Sequence, residues 1–408
     1  MTGFGLLAVC ALAAAVGGSL AHRIGQPAVV GEVVAGVSLA HLLWPLVTGE
    51  ALSIIPGSLA YEVASLGLVL FMFVAGHEID LGSTVMRRAG LRLGLTSALV
   101  PGLLGAGVGL WWASSGSTPA SDWRVPAFFA VAMAVTALPV LARIIGENHQ
   151  IPRTHGLIAL TAAGVIDGAA WVLLGLQQSL GAVGGVLIPV YLVTVLVVGH
   201  VFGRWILARA TGAETTLVLV AYVFASAAAA EALGLHLAFG GFFAGVAFPR
   251  IKRTDGHSPA LARLSQGVFV WPALYFVIAG SQVEVRIDGA DQVLLVVLIV
   301  LGGIVSKLVG SHLGARLAGI PTGQRATLAV LMNTRGLTEI VILGIGLDLG
   351  LLDGTTYTGF VLLALISTGM TQPALSWLAR RRRRSRSVQG STVRPAVGSP
   401  PEVEPVSR

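Results

Sequence analysis

The sequence has little cysteine and little charge, and each shortage excludes a class of protein. Cys10 is the only cysteine, which excludes an intramolecular disulfide and a metal site built from several cysteines. Charged residues make up only 11% of the chain, too few for an ordinary soluble domain. The His-Glu-x-x-His motif of zinc metalloproteases does not occur. We therefore expect no cofactor and no enzymatic activity.

Hydrophobic residues dominate instead, at 55% of 408 residues with a mean hydropathy of +0.84. Apolar runs long enough to cross a bilayer recur along the whole chain. This composition predicts an all-α polytopic membrane protein with about thirteen transmembrane helices. The predicted spans are 3–21, 27–44, 60–79, 93–113, 125–146, 156–178, 186–205, 214–232, 235–249, 264–280, 293–315, 324–348 and 357–379.

Positive charges lie in the short loops between these runs and indicate the orientation of the chain. The net charge is +7, but it is spread over loops, so we expect it to govern topology and expect no nucleic-acid partner. The bias predicts a cell-membrane protein with its N-terminus outside and its C-terminus in the cytoplasm, where residues 381–408 form a disordered Arg-rich tail. With this orientation the outer loops hold only Arg124 and Arg286, and the inner loops hold Arg23; Arg87, Arg88 and Arg92; Arg143 and Arg153; Arg204 and Arg209; Arg250, Lys252, Arg253 and Arg263; Arg316 and Arg325; and the tail.

Two of the predicted spans are interrupted at mid-depth. An odd number of helices fits two halves of six joined by one, which makes the second half an inverted repeat of the first. Pro139, in the segment that starts at Thr136, breaks the fifth span because it removes a backbone donor. Asn333, Thr334, Arg335 and Gly336 break the fifth span of the second half. Interrupted helices at corresponding positions are typical of the binding site of a transporter.

The sixth span carries a carboxylate, Asp167, far from both ends. His155 lies 12 residues before it and Gln177 ten residues after it, so at ~1.5 Å per residue Asp167 is roughly 15 Å from water on each side. A charge at that depth costs at least ~2.5 kcal/mol and usually marks an ion or proton path. We expect Asp167 to bind a proton or a monovalent cation, with Thr136 as a further oxygen ligand. A structural ion pair is the alternative.

Other deep ionisable residues can compensate this charge. Lys307 lies near mid-depth in the eleventh span, and Arg335 and Glu339 are spaced i,i+4 on one face of the twelfth. We predict the pairs Asp167–Lys307 and Arg335–Glu339, the second of which is either structural or functional. Glu32, about a turn and a half into the second span, is expected to support the interrupted helices.

Five segments together resemble one family of transporters. Residues 26–36, 70–80, 135–143, 164–171 and 332–339 are similar, in the same order, to monovalent cation:proton antiporters of the branch with plant cation/proton exchangers and bacterial sodium or potassium:proton antiporters. The resemblance covers about residues 5 to 380. It implies a homodimer in which dimerisation helices, about 1–80 and 214–280, hold a mobile core, about 91–178 and 291–380.

The resemblance also implies roles for particular residues. Asp167 corresponds to the ion-binding and proton-carrying carboxylate of the family, and Lys307 to its basic partner. The chain departs from the family at Ile166, where relatives carry Asp, Asn or Gln and which provides no ligand.

We therefore expect a secondary antiporter that exchanges sodium or potassium for protons by alternating access, with one cation for one proton. The alternative is a non-transporting membrane receptor or sensor of the same fold, because Ile166 weakens the site. An intramembrane aspartyl protease would need a second deep aspartate, and Asp348 lies near an outer end. A channel would need a filter-like pore loop, and the sequence contains none.

The predicted orientation can be tested by labelling single cysteines in a Cys10→Ala background. A membrane-impermeant maleimide added to intact cells should label Arg286→Cys, because position 286 lies in an outer loop. The matched control, Arg88→Cys, should react only after permeabilisation. Labelling of position 286 only from the cytoplasmic side would contradict both the orientation and the inverted repeat.

Overall fold

The structure is a computed structural model that describes residues 3–48, 58–78, 84–117, 122–147, 151–178, 182–209, 213–249, 271–283 and 289–391. All regular secondary structure within these ranges is helical. Nine helices in these ranges are long and apolar enough to cross a bilayer. The prediction of an all-α polytopic membrane protein is confirmed. The count of thirteen spans stays a prediction, because residues 250–270, which include the start of the tenth span, lie outside the described ranges.

The helices of the first part of the chain are α1 (Gly3–Arg23), α2 (Ala28–Ser38, continued by a π-helical turn over Leu39–Leu43 and by Trp44–Thr48), α3 (Leu59–Glu78), α4 (Thr84–Trp112, continued by a π-helical turn over Ala113–Ser117), α5 (Arg124–Ala134), α6 (Leu138–Glu147) and α7 (Arg153–Gln178). The later helices are α8 (Ala182–Arg209), α9 (Ala213–Ala232), α10 (Leu237–Ala247), α11 (Trp271–Ser281), α12 (Ala290–Val297, continued by a π-helical turn over Leu298–Gly302 and by Gly303–Leu317), α13 (Thr322–Met332), α14 (Leu337–Asp348) and α15 (Gly354–Ser391).

The helices pack in two groups. Helices α1, α2 and α3 pack with α9, α10 and α11, whereas α4, α5 and α7 pack with α12 and α13, and α14 and α15 join this second group. Glycines allow the closest contacts in the first group: a Cβ at Gly36 of α2 would lie 2.1 Å from the carbonyl oxygen of Val277 of α11. Such small residues let membrane helices approach to backbone contact. The roles of the two groups in dimerisation and movement stay predictions.

Two transmembrane segments of the second group are broken into pairs of shorter helices. Helix α5 ends at Ala134, Val135 is extended, and α6 begins at Leu138. The break therefore precedes Pro139, which is the second residue of α6, where a missing N–H does no harm because the first N–H groups of a helix have no intrahelical acceptor. Helix α13 ends at Met332 and α14 begins after Gly336, whose φ of 153° favours glycine.

The C-terminal helix is longer than we expected from the sequence. The prediction that the chain becomes disordered at 381 is wrong for its first part, since α15 continues to Ser391. The physical reason is that arginine is a good helix former and extension of an existing helix needs no new nucleus. Residues 392–408 lie outside the described ranges.

Candidate ion-binding site

The two broken segments meet at their interruptions. The backbone N–H of Ala137 donates to the carbonyl oxygen of Thr334 at 3.1 Å. The hydroxyl of Thr136 donates to the carbonyl oxygen of Met332, the last residue of α13, also at 3.1 Å. The unwound backbone thus finds hydrogen-bond partners inside the protein, which non-helical backbone at membrane depth requires.

Two cations occupy the C-terminal end of α5. The last carbonyls of a helix have no intrahelical donor and form the negative end of its dipole. The guanidinium of Arg335 donates to the carbonyl oxygens of Ala132 and Met133 at 2.8 and 2.5 Å. The ammonium of Lys307 donates to the carbonyl oxygen of Ala134. Both side chains are fully buried, so each cation is stabilised by the helix end rather than by water.

A buried carboxylate balances Arg335. The predicted Arg335–Glu339 ion pair forms, with 2.7 Å between Nη1 and Oε1 and with both side chains at 0% exposure. Thr368 of α15 binds the same residue twice: its hydroxyl accepts from the backbone N–H of Arg335 and donates to the backbone carbonyl of Arg335. These contacts hold the break between α13 and α14 in one conformation.

Asp167 lacks such contacts. It lies on α7 with 1% of its surface exposed, and among the described residues neither of its buried carboxylate oxygens accepts a hydrogen bond of ordinary geometry. The backbone N–H of Leu138, the first residue of α6, acts on it as a looser hydrogen-bond donor, and Lys307 acts on it through its charge. The N-terminus of α6 is the positive end of that helix, so its field favours a negative charge at this point. Asp167 is therefore buried in a favourable field but has no fixed ligand.

The predicted direct ion pair between Asp167 and Lys307 is absent. Neither carboxylate oxygen forms an ion pair with a described residue, and the ammonium is instead bound to the carbonyl oxygen of Ala134. The physical reason is that the unpaired helix end offers Lys307 a closer acceptor. The two charges act on one another only through space, which leaves both oxygens of Asp167 available to a proton or a cation.

The remaining predicted site residues are Thr136, Glu32 and Pro139. Thr136 is fully buried at the crossing, and its oxygen keeps lone pairs after donating its proton. Glu32 is half-buried on α2, where its Oε1 would lie 3.1 Å from a Cβ placed at Gly18 of α1, and its support of the interrupted helices stays a prediction. The side chain of Pro139 lies outside the described part of the structure.

Other polar residues at the breaks are tightly buried. Asn333 donates through Nδ2 to the sulfur of Met370 at 3.8 Å, and Thr334 and Thr371 share a hydroxyl hydrogen bond of 3.3 Å. Gly336 lies close to α6, since a Cβ there would be 3.0 Å from Cγ2 of Val140.

Sequence reasoning missed the threonines of α15 that hold the second break. Thr368 and Thr371 are fully buried, and with Ser367 they form a polar stripe at helical spacing within the otherwise apolar stretch 359–371 of this helix. This stripe was the signal that could have identified them, because hydroxyls in membrane helices commonly bond to a neighbouring helix. Ile166, by contrast, is buried at 4% exposure and provides no ligand beside Asp167.

Two interrupted helices that cross beside a buried carboxylate define the fold of a secondary transporter. The chain belongs to the sodium/hydrogen exchanger, transmembrane family, which it matches over residues 10–381. The resemblance seen in the sequence is thereby confirmed.

The chain is also similar to individual proteins. It is 33% identical to Cation/H(+) antiporter 17 of Arabidopsis thaliana over 87% of this chain and 45% of that protein. It is 30% identical to Na(+)/H(+) antiporter NhaS4 of Synechocystis, over 87% and 92% of the two chains. K(+)/H(+) antiporter 1 of Saccharomyces cerevisiae is 29% identical, over 85% and 43%. The chain spans about half the length of the plant relatives it matches.

Solved structures show the same fold at low sequence identity. The structure of the sodium proton antiporter MjNhaP1 from Methanocaldococcus jannaschii at pH 8 matches with a TM-score of 0.64 and 14% identity, over 92% of this chain and 96% of that one. An electron-microscopy structure of the same antiporter matches with a TM-score of 0.66 and 16% identity, over 93% and 97%. At this identity the likeness concerns the fold alone.

The buried network makes a testable prediction about stability. Arg335→Gln leaves Glu339 buried without its partner and should lower the free energy of unfolding by about 3–5 kcal/mol. Glu339→Gln should also destabilise the protein. The double variant should lose less than the sum of the single losses, because neither charge is then left unpaired. The measurement is the unfolding temperature of the purified protein in detergent.

The control for this experiment is an ion pair at the surface. Asp122 and Arg124 are joined at 2.6 Å but both side chains remain partly exposed. Asp122→Asn should therefore change the free energy of unfolding by no more than about 1 kcal/mol. Strictly additive losses in the Arg335 and Glu339 variants would show that the two buried side chains do not stabilise one another.

Proposed function

We propose that the protein is a secondary active antiporter that exchanges a monovalent cation for a proton. The observation that carries the proposal is Asp167, with both carboxylate oxygens buried and unpartnered beside the crossing. A carboxylate in such a place is costly as a bare charge and is stabilised by a proton or by a cation. Because both ligands need the same oxygens, each displaces the other, and this competition is the basis of exchange.

The groups around Asp167 favour a small, hard cation. Carboxylate and hydroxyl oxygens are the ligands that such cations prefer, and Thr136 provides a hydroxyl at the crossing. Lys307 and Arg335 already occupy the carbonyl oxygens at the end of α5, so the site provides few further ligands and little negative charge. A monovalent ion fits this set, and both sodium and potassium are candidate substrates. The relatives carry names of both kinds.

Alternating access follows from the division of the helices. In this proposal α1 to α3 and α9 to α11 form the dimerisation part of a homodimer, and the group that contains the crossing moves against it. Asp167 and the two breaks lie in one group, so the site moves as a unit and opens to one face at a time. The protein lies in the cell membrane, with the N-terminus outside and the C-terminus in the cytoplasm.

The hydrogen bond of the Lys307 ammonium supports exchange of one cation for one proton. Its ammonium is bound to the carbonyl oxygen of Ala134, so its hydrogen bond does not depend on whether Asp167 holds a proton or a cation. Ile166 adds no second acidic group. Asp167 is then the one group at the crossing that exchanges a proton for a cation. Its protonated form and its cation-bound form have the same net charge.

A second candidate function rests on Ile166. Ile166 is buried next to Asp167 in the sequence and gives the cation no ligand, whereas an acidic or amide side chain at this position would provide one. A receptor or sensor of the same fold, in which Asp167 changes its protonation state without transport, is the alternative. Transport assays with the purified protein separate the two functions.

The first such prediction concerns Asp167→Asn. The amide keeps the size of the side chain but cannot exchange a proton, so cation-dependent proton movement in proteoliposomes should fall to the level of empty liposomes. The variant should fold, because it no longer buries an unpartnered ionisable group. The matched control is Asp291→Asn, the same change at an exposed position in the first turn of α12, which should keep activity. Substantial exchange by Asp167→Asn would contradict the proposal, and no exchange by the parent protein with either ion would favour the receptor.

The second prediction concerns stoichiometry. One-for-one exchange moves no net charge, so the rate and the equilibrium set point should not respond to the membrane potential. The measurement is sodium-driven proton movement in liposomes whose potential is set by valinomycin, at zero with matched potassium and at other values with chosen potassium gradients. A set point that shifts with the imposed potential would rule out one-for-one exchange and would assign a second exchangeable proton to Lys307.

A further inference from the structure

A groove lies between α12, α13 and α15, away from the crossing. Its volume is about 660 Å³ and most of its lining is apolar. Three basic residues, His312, Arg316 and Arg325, line it, and its lining contains no acidic side chain among the described residues. A groove with an apolar lining and positive charge is complementary to one amphipathic ligand that carries a negative charge.

The basic and apolar residues lie at different depths. Arg316 belongs to the last turn of α12, and Leu308, also in the groove, comes eight residues earlier on the same helix. At ~1.5 Å per residue the groove is therefore roughly 12 Å long along this helix. Trp377 of α15 lines it with 58% of its surface exposed, as is typical of tryptophan at a membrane interface. The charged end thus corresponds to the headgroup level and the apolar end to the acyl chains.

The two arginines can bind an anion. Arg316 is exposed and has no hydrogen-bond or ion-pair partner in the described part of the chain. Arg325 donates through Nε to the carbonyl oxygen of Ile320 at 2.7 Å, which orients its guanidinium and leaves the terminal nitrogens for a ligand. Guanidinium groups bind phosphate oxygens with strong, directed hydrogen bonds.

We propose that this groove is a binding site for an anionic phospholipid. The headgroup phosphate binds Arg316 and Arg325, and an acyl chain lies along the apolar lining between the three helices. The described lining favours an anionic lipid over a zwitterionic one, because it offers basic groups to a phosphate and no acidic group to a positively charged choline. Basic pockets between membrane helices commonly take such headgroups.

The site is connected to the crossing through α13. Ala329 and Val330 line the groove, and α13 ends two residues later at Met332, whose carbonyl binds Thr136. A lipid in the groove therefore packs against the helix that forms half of the crossing. We expect it to stabilise the protein whether or not an ion is bound.

The test uses the full-length protein, purified in a neutral detergent and given phosphatidylglycerol or phosphatidylcholine with the same acyl chains. Native mass spectrometry counts the bound lipids, and a thermal melt records the unfolding temperature. Phosphatidylglycerol should remain bound and raise the unfolding temperature more than phosphatidylcholine does. Arg316→Gln should weaken phosphatidylglycerol binding about fivefold, because each basic residue near a headgroup contributes about 1 kcal/mol.

Two further variants make the result decisive. Ala326→Phe fills the groove without removing either arginine and should also reduce binding. Arg204→Gln removes an exposed arginine of α8 outside the groove and should leave binding unchanged. Equal binding of the two lipids, unchanged binding in Arg316→Gln and Ala326→Phe, or an equal loss in Arg204→Gln would overturn the proposal. A change in the monomer–dimer ratio in place of the lipid count would overturn it in favour of a second copy of the chain.

Discussion

The structure depends on one constraint, which is that the ends of a helix broken inside a membrane must find their hydrogen bonds within the protein. At the end of α5 this need is met by Arg335 and Lys307, and at the end of α13 by Thr136. Two positive charges at mid-depth then need compensation, and Glu339 provides it for one of them. The charged residues at the crossing are thus a consequence of the broken helices, and they would be prohibitively costly in a continuous span.

Within this network Asp167 is the exception. Arg335, Glu339 and Lys307 each have a fixed side-chain or carbonyl partner, whereas neither oxygen of Asp167 has one among the described residues. A buried group with fixed partners holds a structure together, and one without them can exchange its ligand. This difference separates the structural from the functional reading of the deep charges, and it is why we propose that one carboxylate exchanges protons and cations. The positive N-terminal end of α6 and the ammonium of Lys307 stabilise the ionised form of Asp167 without forming an ion pair with its oxygens.

Helix α13 links the crossing to the membrane. Its C-terminal carbonyl is bound by Thr136, while two of its last residues line the groove that we assign to an anionic phospholipid. The groove is bordered by helices of the group that contains the crossing, so in the proposed alternating-access cycle a lipid there moves with the site. The same short helix therefore contacts both the proposed ion-binding site and the proposed lipid site.

The sequence alone determined where the helices break. Asn333 to Gly336 within one apolar span and Pro139 within another mark the two breaks, and a separation of four residues puts Arg335 within reach of Glu339 although Arg335 lies in the break and only Glu339 lies on α14. Only the tertiary structure decided which helices meet. It bound Lys307 to Ala134 rather than to Asp167, placed Glu32 against α1, and brought Thr368 to Arg335. The physical reason is that sequence spacing specifies the depth and the face of a residue along its own helix, whereas contacts between helices depend on their packing, which hundreds of small side-chain contacts determine together.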